Sequence, residues 1–238
     1  KLQNGSDVRG IAVAGVPGEE VNLFPERAQR IAKGFVQFLA KKIGKDAKDL
    51  RIAVGHDSRI SADALQTAVL TGLDSCGVTA FACGLASTPA MFMSIVFPET
   101  HMDGSIMITA SHLPYNRNGL KFFTKDGGLE KADIKEVLQY AVDETASEGT
   151  AAAEALPIID IYAKDLCQKI RAGLGAAPDS QPLTGMHLVV DAGNGSGGFF
   201  ATKVLQPLGA DITGSQFLEP DGMFPNHIPN PENKDAMV

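Results

Sequence analysis

Residues 106–123 read IMITASHLPYNRNGLKFF. An apolar run ends at Thr109-Ala110, a polar stretch carries Ser111, His112 and Pro114, and Lys121 enters a second apolar run. Two short apolar runs around a polar stretch predict two strands, 105–110 and 120–124, with Asn118-Gly119 as a hairpin signal. The question is whether the stretch between them is a decorated turn or a nucleophile held in a loop.

Working outward, strands alternate with helices. IAVAGV (11–16), RIAVGHD (51–57) and VTAFACG (78–84) read as strands. Residues 26–43 put Ile31, Phe35, Leu39 and Ile43 on one helical face. A second helix starts near Ser61 as N-cap, with Leu65, Val69 and Leu73 at helical spacing. Thr88–Val96 and 131–145 read as further helices. This grammar predicts an α/β domain with a mixed, mainly parallel sheet layered between helices.

Residues 146–155, ASEGTAAAEA, are small, polar and weakly patterned, and predict a linker. Beyond it Ile159, Tyr162, Leu166 and Ile170 mark a helix. MHLVVDAGNGSGG (186–198) reads as a strand, a glycine-rich turn and a helix start, DITGSQF (211–217) as another strand, and 229–238 as the opening of a further helix. The expected division is 1–148 for the first domain and 149–238 for a partial second α/β domain of similar type.

Composition narrows the function. Of 238 residues, 44% are hydrophobic, enough to build a core. A net charge of -7 argues against nonspecific binding to nucleic acid or to an anionic membrane. The three cysteines, Cys76, Cys83 and Cys167, form no CxxC pair, so a reducing, cytoplasmic setting is expected, without disulfides or zinc. The polar first ten residues do not resemble a signal peptide, and no apolar stretch is long enough to span a bilayer.

Four segments fall at expected strand ends, where α/β folds place their sites. They are Ser6–Gly10, GHDSR (55–59), TASHLPYNRNGLK (109–121) and DGMFPNHIPNPE (221–232). Each has a plain alternative: a solvated Arg9, a helix-start turn at Asp57-Ser58-Arg59, a packed turn histidine at His112. DAGNGSGG lacks the Lys-Ser/Thr of a Walker motif and the GxGxxG spacing, so a tight strand-to-helix turn explains it better than a nucleotide site. Together the segments bring Arg9, Arg59, Lys121 and Arg117 toward Ser111. No GxSxG elbow supports acyl transfer by a serine hydrolase. A serine among cations suits phosphoryl transfer, which proceeds by alignment and charge neutralisation.

On these motifs the chain resembles the α-D-phosphohexomutases, the phosphoglucomutase and phosphomannomutase family. DVRG resembles the family's N-terminal arginine motif, GHDSR its GxDSR, TASHLPYNRNGLK its phosphoserine loop, and GMFPNHIPNPE the segment before its metal loop. The resemblance implies a reaction that interconverts hexose 1-phosphate and hexose 6-phosphate through a phosphoserine and a hexose 1,6-bisphosphate. It implies that Ser111 carries the phosphoryl group and is a Mg²⁺ ligand through it. It further implies that His112 is its active-site neighbour, that Lys121 does acid/base or electrostatic work, and that Arg9 and Arg59 line the site. Leu113 stands where the family usually has asparagine. The aspartate loop that completes the family's Mg²⁺ site and its two later domains have no counterpart here, so the resemblance is to an N-terminal portion, expected to be inactive alone. The alternative reading is a catalytically inactive binding or structural module.

Overall fold

A computed structural model describes residues 2–230 and 232–234. The first half is built on one sheet. Its strands are β1 (Gln3–Asn4), β2 (Asp7–Ile11), β3 (Arg51–His56), β4 (Thr79–Leu85), β5 (Gly104–Ile108), β6 (Arg117–Thr124), β7 (Gly127–Gly128) and β8 (Glu154–Ala155). Their order is β1-β2-β6-β5-β3-β4-β8, with β7 against β6. β5, β3, β4 and β8 pair in parallel, and β6 runs against both β5 and β2. The fold is therefore α/β with a mixed sheet of mostly parallel strands, as the alternation predicts.

Five helices cover the sheet: α1 (Pro25–Ile43), α2 (Ala62–Ser75), α3 (Thr88–Val96), α4 (Lys131–Asp143) and α5 (Ile158–Gly173). Alternation along each strand decides which side they take. Ile52, Val54, Ile106, Ile108, Leu120 and Phe122 point to one face, where α1, α2 and α4 bury Phe35, Leu39, Leu65, Leu73, Ile134 and Val137. Ala53, Phe81 and Met107 point to the other, against Met91 of α3 and Ile158 of α5. Covered on both faces, the central strands read as continuous apolar runs.

Several details differ from the sequence reading. The strand expected at 11–16 is instead β2 at 7–11: Val8 to Ile11 pair with Leu120 to Arg117, while 12–24 are a loop. Asn118-Gly119 is not a hairpin turn but the interior of β6, and the chain reverses over 109–116 instead. The glycine serves close approach. A Cβ on Gly119 would lie 2.3 Å from the Val8 carbonyl oxygen and 2.8 Å from that of Thr109. Ser61 precedes α2, but its hydroxyl makes no cap bond and instead accepts from Asn118 Nδ2 at 2.8 Å. Within the stretch expected to be a linker, Glu154–Ala155 pair with β4 and extend the first sheet.

The second half is less regular. The strands expected over 186–191 and 211–217 reduce to two parallel bridges, His187 to Asp211 and Asp191 to Gln216. Between them the Val190 N–H is taken by the Ser215 hydroxyl at 3.0 Å rather than by a carbonyl. Gly214, at φ +87°, breaks the extension. After the glycine-rich turn come a 3₁₀ turn at Ser196–Gly198 and a π-helical run at Phe200–Leu205, ended by Pro207. Val204, Leu208 and Cys167 form the core of this half. Of the helix expected over 229–238, residues 231 and 235–238 lie outside the described residues, and 229–230 and 232–234 form no α-helix.

Candidate active site

β3 and β5 are parallel neighbours, with His56 beside Ile108, so the segments that follow them emerge at the same edge of the sheet. That register puts Asp57 and Arg59 next to the loop that carries Ser111.

Arg59 organises the loop. Its side chain is fully buried. Nη1 donates to the carbonyls of Pro114 (2.6 Å) and Arg117 (3.0 Å), and Nη2 to those of Ser111 (3.1 Å) and Leu113 (2.6 Å). Nε donates to Asp57 Oδ2 at 3.2 Å, while Asp57 Oδ1 accepts the Arg59 N–H at 3.1 Å. Burial pulls the arginine below its ordinary pKa, the Asp57 carboxylate resists that, and the Arg9 charge adds to the lowering. A rigid planar fork suits this role, because it meets several fixed acceptors at once.

Thr109 completes the frame. Its hydroxyl donates to Asp57 Oδ2 at 2.6 Å and accepts the Ser111 N–H at 3.0 Å. Ser111 therefore has both its N–H and its carbonyl fixed, and stands exposed at φ +59°. Non-glycine residues seldom take this conformation, and those that do concentrate at functional sites. Ser111 Oγ lies 3.3 Å from His112 Nδ1, and both side chains are exposed. Leu113, at the position where asparagine is usual in the resemblance, joins the loop through its backbone: its N–H donates to Ala110 and its carbonyl accepts from Arg59.

The other cations have carboxylate partners of their own. Arg9 lies opposite Gly119 and Lys121 opposite Met107, and both reach Asp7 Oδ2, at 2.9 and 2.7 Å. Arg117 pairs with Glu19. The structure thus brings Arg59 into direct contact with the Ser111 loop and sets Arg9 and Lys121 together on a shared carboxylate. Arg9 Nε and Ser58 Oγ are buried without a partner among the described residues.

Ser111, Thr109, Asp57 and Ser58 form one wall of a cleft of about 380 Å³. The opposite wall comes from the second half, chiefly Asp191, Gly193, Ser196, Phe224, His227 and Asn230. Asn194, at φ +59°, ties the two segments of that wall by donating to the Glu219 carbonyl and accepting from Asn226. His227 joins them too. Nε2 lies 3.1 Å from Asp191 Oδ1 and Nδ1 lies 3.0 Å from the Ile228 carbonyl oxygen. Both partners are acceptors, so the surroundings favour the doubly protonated ring. The Ile228 carbonyl and then Asp191 raise the His227 pKa. For Asp191, burial works upward, but the bonds from His227, the Gly193 N–H and Gln216 outweigh it and hold the carboxyl below its usual range.

The sequence reading singled out Ser111, His112, Lys121, Arg9 and Arg59. It missed Thr109 as a brace and the Asp191–His227 pair, because those links join residues far apart in the chain. Among the described residues no group of three or more His, Cys, Asp or Glu gathers as a metal site. Asp57 is committed to Arg59 and Thr109. The described residues therefore do not by themselves form the octahedral oxygen set Mg²⁺ requires.

An α/β sheet thus presents a braced serine at its strand ends, inside a cleft lined by both halves of the chain. Comparison with known proteins makes this specific. Residues 1–148 match the family model "Phosphoglucomutase/phosphomannomutase, alpha/beta/alpha domain I", and residues 161–238 match the model for domain II. The chain belongs to the phosphoglucomutase/phosphomannomutase family, the α-D-phosphohexomutases. It is similar to the phosphoglucosamine mutase of Ligilactobacillus salivarius (strain UCC118), at 32% identity over 91% of this chain and 45% of that protein. It is also similar to the phosphoglucosamine mutase of Serratia proteamaculans (strain 568), at 33% identity over 73% of this chain and 38% of that protein. A crystal structure of a phosphoglucomutase/phosphomannomutase family protein from Burkholderia thailandensis superposes with a TM-score of 0.76 and 27% identity, over 98% of this chain and 47% of that one. The chain thus spans less than half the length of these relatives. No helix among the described residues is long and apolar enough to cross a membrane.

Proposed function

We propose that this chain supplies the phosphoryl-carrying half of a phosphohexomutase, with Ser111 as the carrier. The observation that carries this reading is the bracing of Ser111: N–H to Thr109, carbonyl to Arg59, hydroxyl exposed in the cleft. A nucleophile held this way needs no reorganisation before transfer.

In the proposed reaction the bond between phosphorus and Ser111 Oγ breaks while a bond to a sugar hydroxyl oxygen forms. The hydroxyl proton leaves to a base, and the product is a hexose 1,6-bisphosphate. After the sugar reorients, the serine takes back the other phosphoryl group, so the 1-phosphate and 6-phosphate interconvert. Arg9 and Lys121 supply positive charge near the transferring group, and Lys121, paired with Asp7, is the proposed proton handler. His112 is the proposed partner of the serine oxygen. Mg²⁺, bound through the phosphoserine together with carboxylates that these residues do not provide, would neutralise charge on the phosphoryl oxygens. The relatives' names make glucosamine phosphate the first substrate to assay, beside glucose phosphate. We place the boundary between the two units at 148/149 and the working environment in the cytoplasm. Turnover by these 238 residues alone is expected to be far below that of a complete mutase, because they cover 45% of one relative's length.

The test is mass spectrometry of peptides after incubation with glucose 1,6-bisphosphate and Mg²⁺. Phosphate on Ser111 supports the reading, and Ser111→Ala should abolish the labelling. The alternative, a module with no catalytic part, predicts that Ser111 stays unmodified.

A further inference from the structure

We propose that Phe224 is a positioning residue for the Ser111 loop, acting through Arg59 across the junction of the two halves. Every in-plane donor nitrogen of Arg59 is already committed, to Asp57 and to four loop carbonyls. What the guanidinium has left is contact outside those bonds, and its Cζ lies over the Phe224 ring, 5.3 Å from the centroid. A delocalised, weakly hydrated cation against an aromatic face is a favourable contact, more so when water is excluded.

The backbone around Phe224 is shaped to make this contact. A Cβ on Gly222 would lie 2.4 Å from both the Ser58 carbonyl oxygen and the Ile60 nitrogen, the groups on either side of Arg59. The glycine therefore lets 221–224 lie directly on the backbone flanking Arg59. Phe224 itself sits at φ +51°, in the left-handed region that bulky residues avoid. Its N–H donates to the Asp221 carbonyl at 3.0 Å, and Asp221 Oδ1 accepts the Met223 N–H at 2.9 Å. The Asp221 N–H in turn donates to the Asn194 carbonyl at 2.8 Å, which anchors the segment to the glycine-rich turn. A continuous chain of contacts thus runs from Asn194 through Asp221, Phe224 and Arg59 to the carbonyls of Ser111 and Leu113. A strained conformation that persists where it aims a side chain is a sign of function.

The consequence is that the placement of the second half sets the order of the serine loop. Its functional weight rests on the reading of Ser111 as phosphoryl carrier, but its test does not. Amide hydrogen exchange is measured on the full 238-residue chain and on the variants Phe224→Ala and Phe224→Tyr. With alanine, the amides of Ser111, Leu113 and Arg117 are expected to exchange about tenfold faster, while those of Ala53 and Val54 in β3 and Ile106 in β5 keep their rates. Tyrosine, which keeps the ring, is expected to hold the loop rates near wild type. Unchanged loop exchange in Phe224→Ala overturns the proposal. So does an equal rise through β3 and β5, since Phe224 would then serve general stability. Tyrosine behaving like alanine overturns it as well. Failure of the wild-type chain to take up phosphate on Ser111 would count against the functional reading alone, because the exchange result stands independently of it.

Discussion

Thr109 donates its hydroxyl to Asp57 Oδ2 at 2.6 Å and, through the same oxygen, accepts the Ser111 N–H at 3.0 Å. One buried side chain thus connects the carboxylate that fixes Arg59 to the backbone of the proposed nucleophile.

Thr109→Val keeps the shape of this side chain and removes the hydroxyl. It leaves the Ser111 N–H without its acceptor and Asp57 short of a donor, a loss of about 1–3 kcal/mol. Urea denaturation should show a lowered midpoint with an unchanged slope. An unchanged midpoint would mean that water replaces the hydroxyl at no cost.

Arg59→Ala should cost more. It strands the Asp57 carboxylate and removes the donors of four loop carbonyls, and breaking a buried pair from one side costs about 3–5 kcal/mol. Arg59→Lys should recover little of this, because a point charge cannot span the same acceptors. Denaturation midpoints for the two variants decide it, and a lysine variant as stable as wild type would contradict the account.

Gly119→Ala should destabilise by about 3 kcal/mol through overpacking. The new methyl group would meet the carbonyls of Val8 and Thr109 and force β2 away from β6. If the asparagine-glycine pair were instead a solvent-exposed turn, alanine there would leave β2–β6 pairing intact. Amide exchange of Val8 and Leu120 distinguishes the two.

How legible this was depended on distance along the chain. Apolar spacing was enough for α1, α2, α4 and α5, since each buries one face against its neighbours. The motif around Ser111 was legible because its residues are contiguous. Asn118-Gly119 misled, because the same two residues serve a turn or a close strand approach, and only the partner Val8 decides between them. Arg59 was read as a charge facing the site. Its occupation by loop carbonyls depends on the fold of 111–117, which no local pattern encodes. The bridges at 187–216 fell short of strands because Ser215 and Gly214 interrupt the ladder, a tertiary effect invisible to β-propensity.

The Asp191–His227 pair should respond to pH. A histidine whose folded pKa is raised contributes stability that is complete below its ordinary 6.5 and lost as pH rises through the folded value. Asp191, lowered from 3.8, contributes above that value and loses its part as pH falls through the folded one. The pair is therefore intact from below the usual carboxylate range to above pH 6.5. Proton NMR of the His227 ring should give a midpoint above 6.5, and Asp191→Asn should lower it. A midpoint at or below 6.5 in the wild-type chain would show that the second acceptor is not engaged.

The central claim is that Ser111 carries the phosphoryl group. Its most direct test is peptide mass spectrometry of a full-length mutase containing this chain, after incubation with glucose 1,6-bisphosphate and Mg²⁺. The account expects phosphate on Ser111, absent in Ser111→Ala. Phosphate found reproducibly on another residue, with Ser111 unmodified, would contradict it.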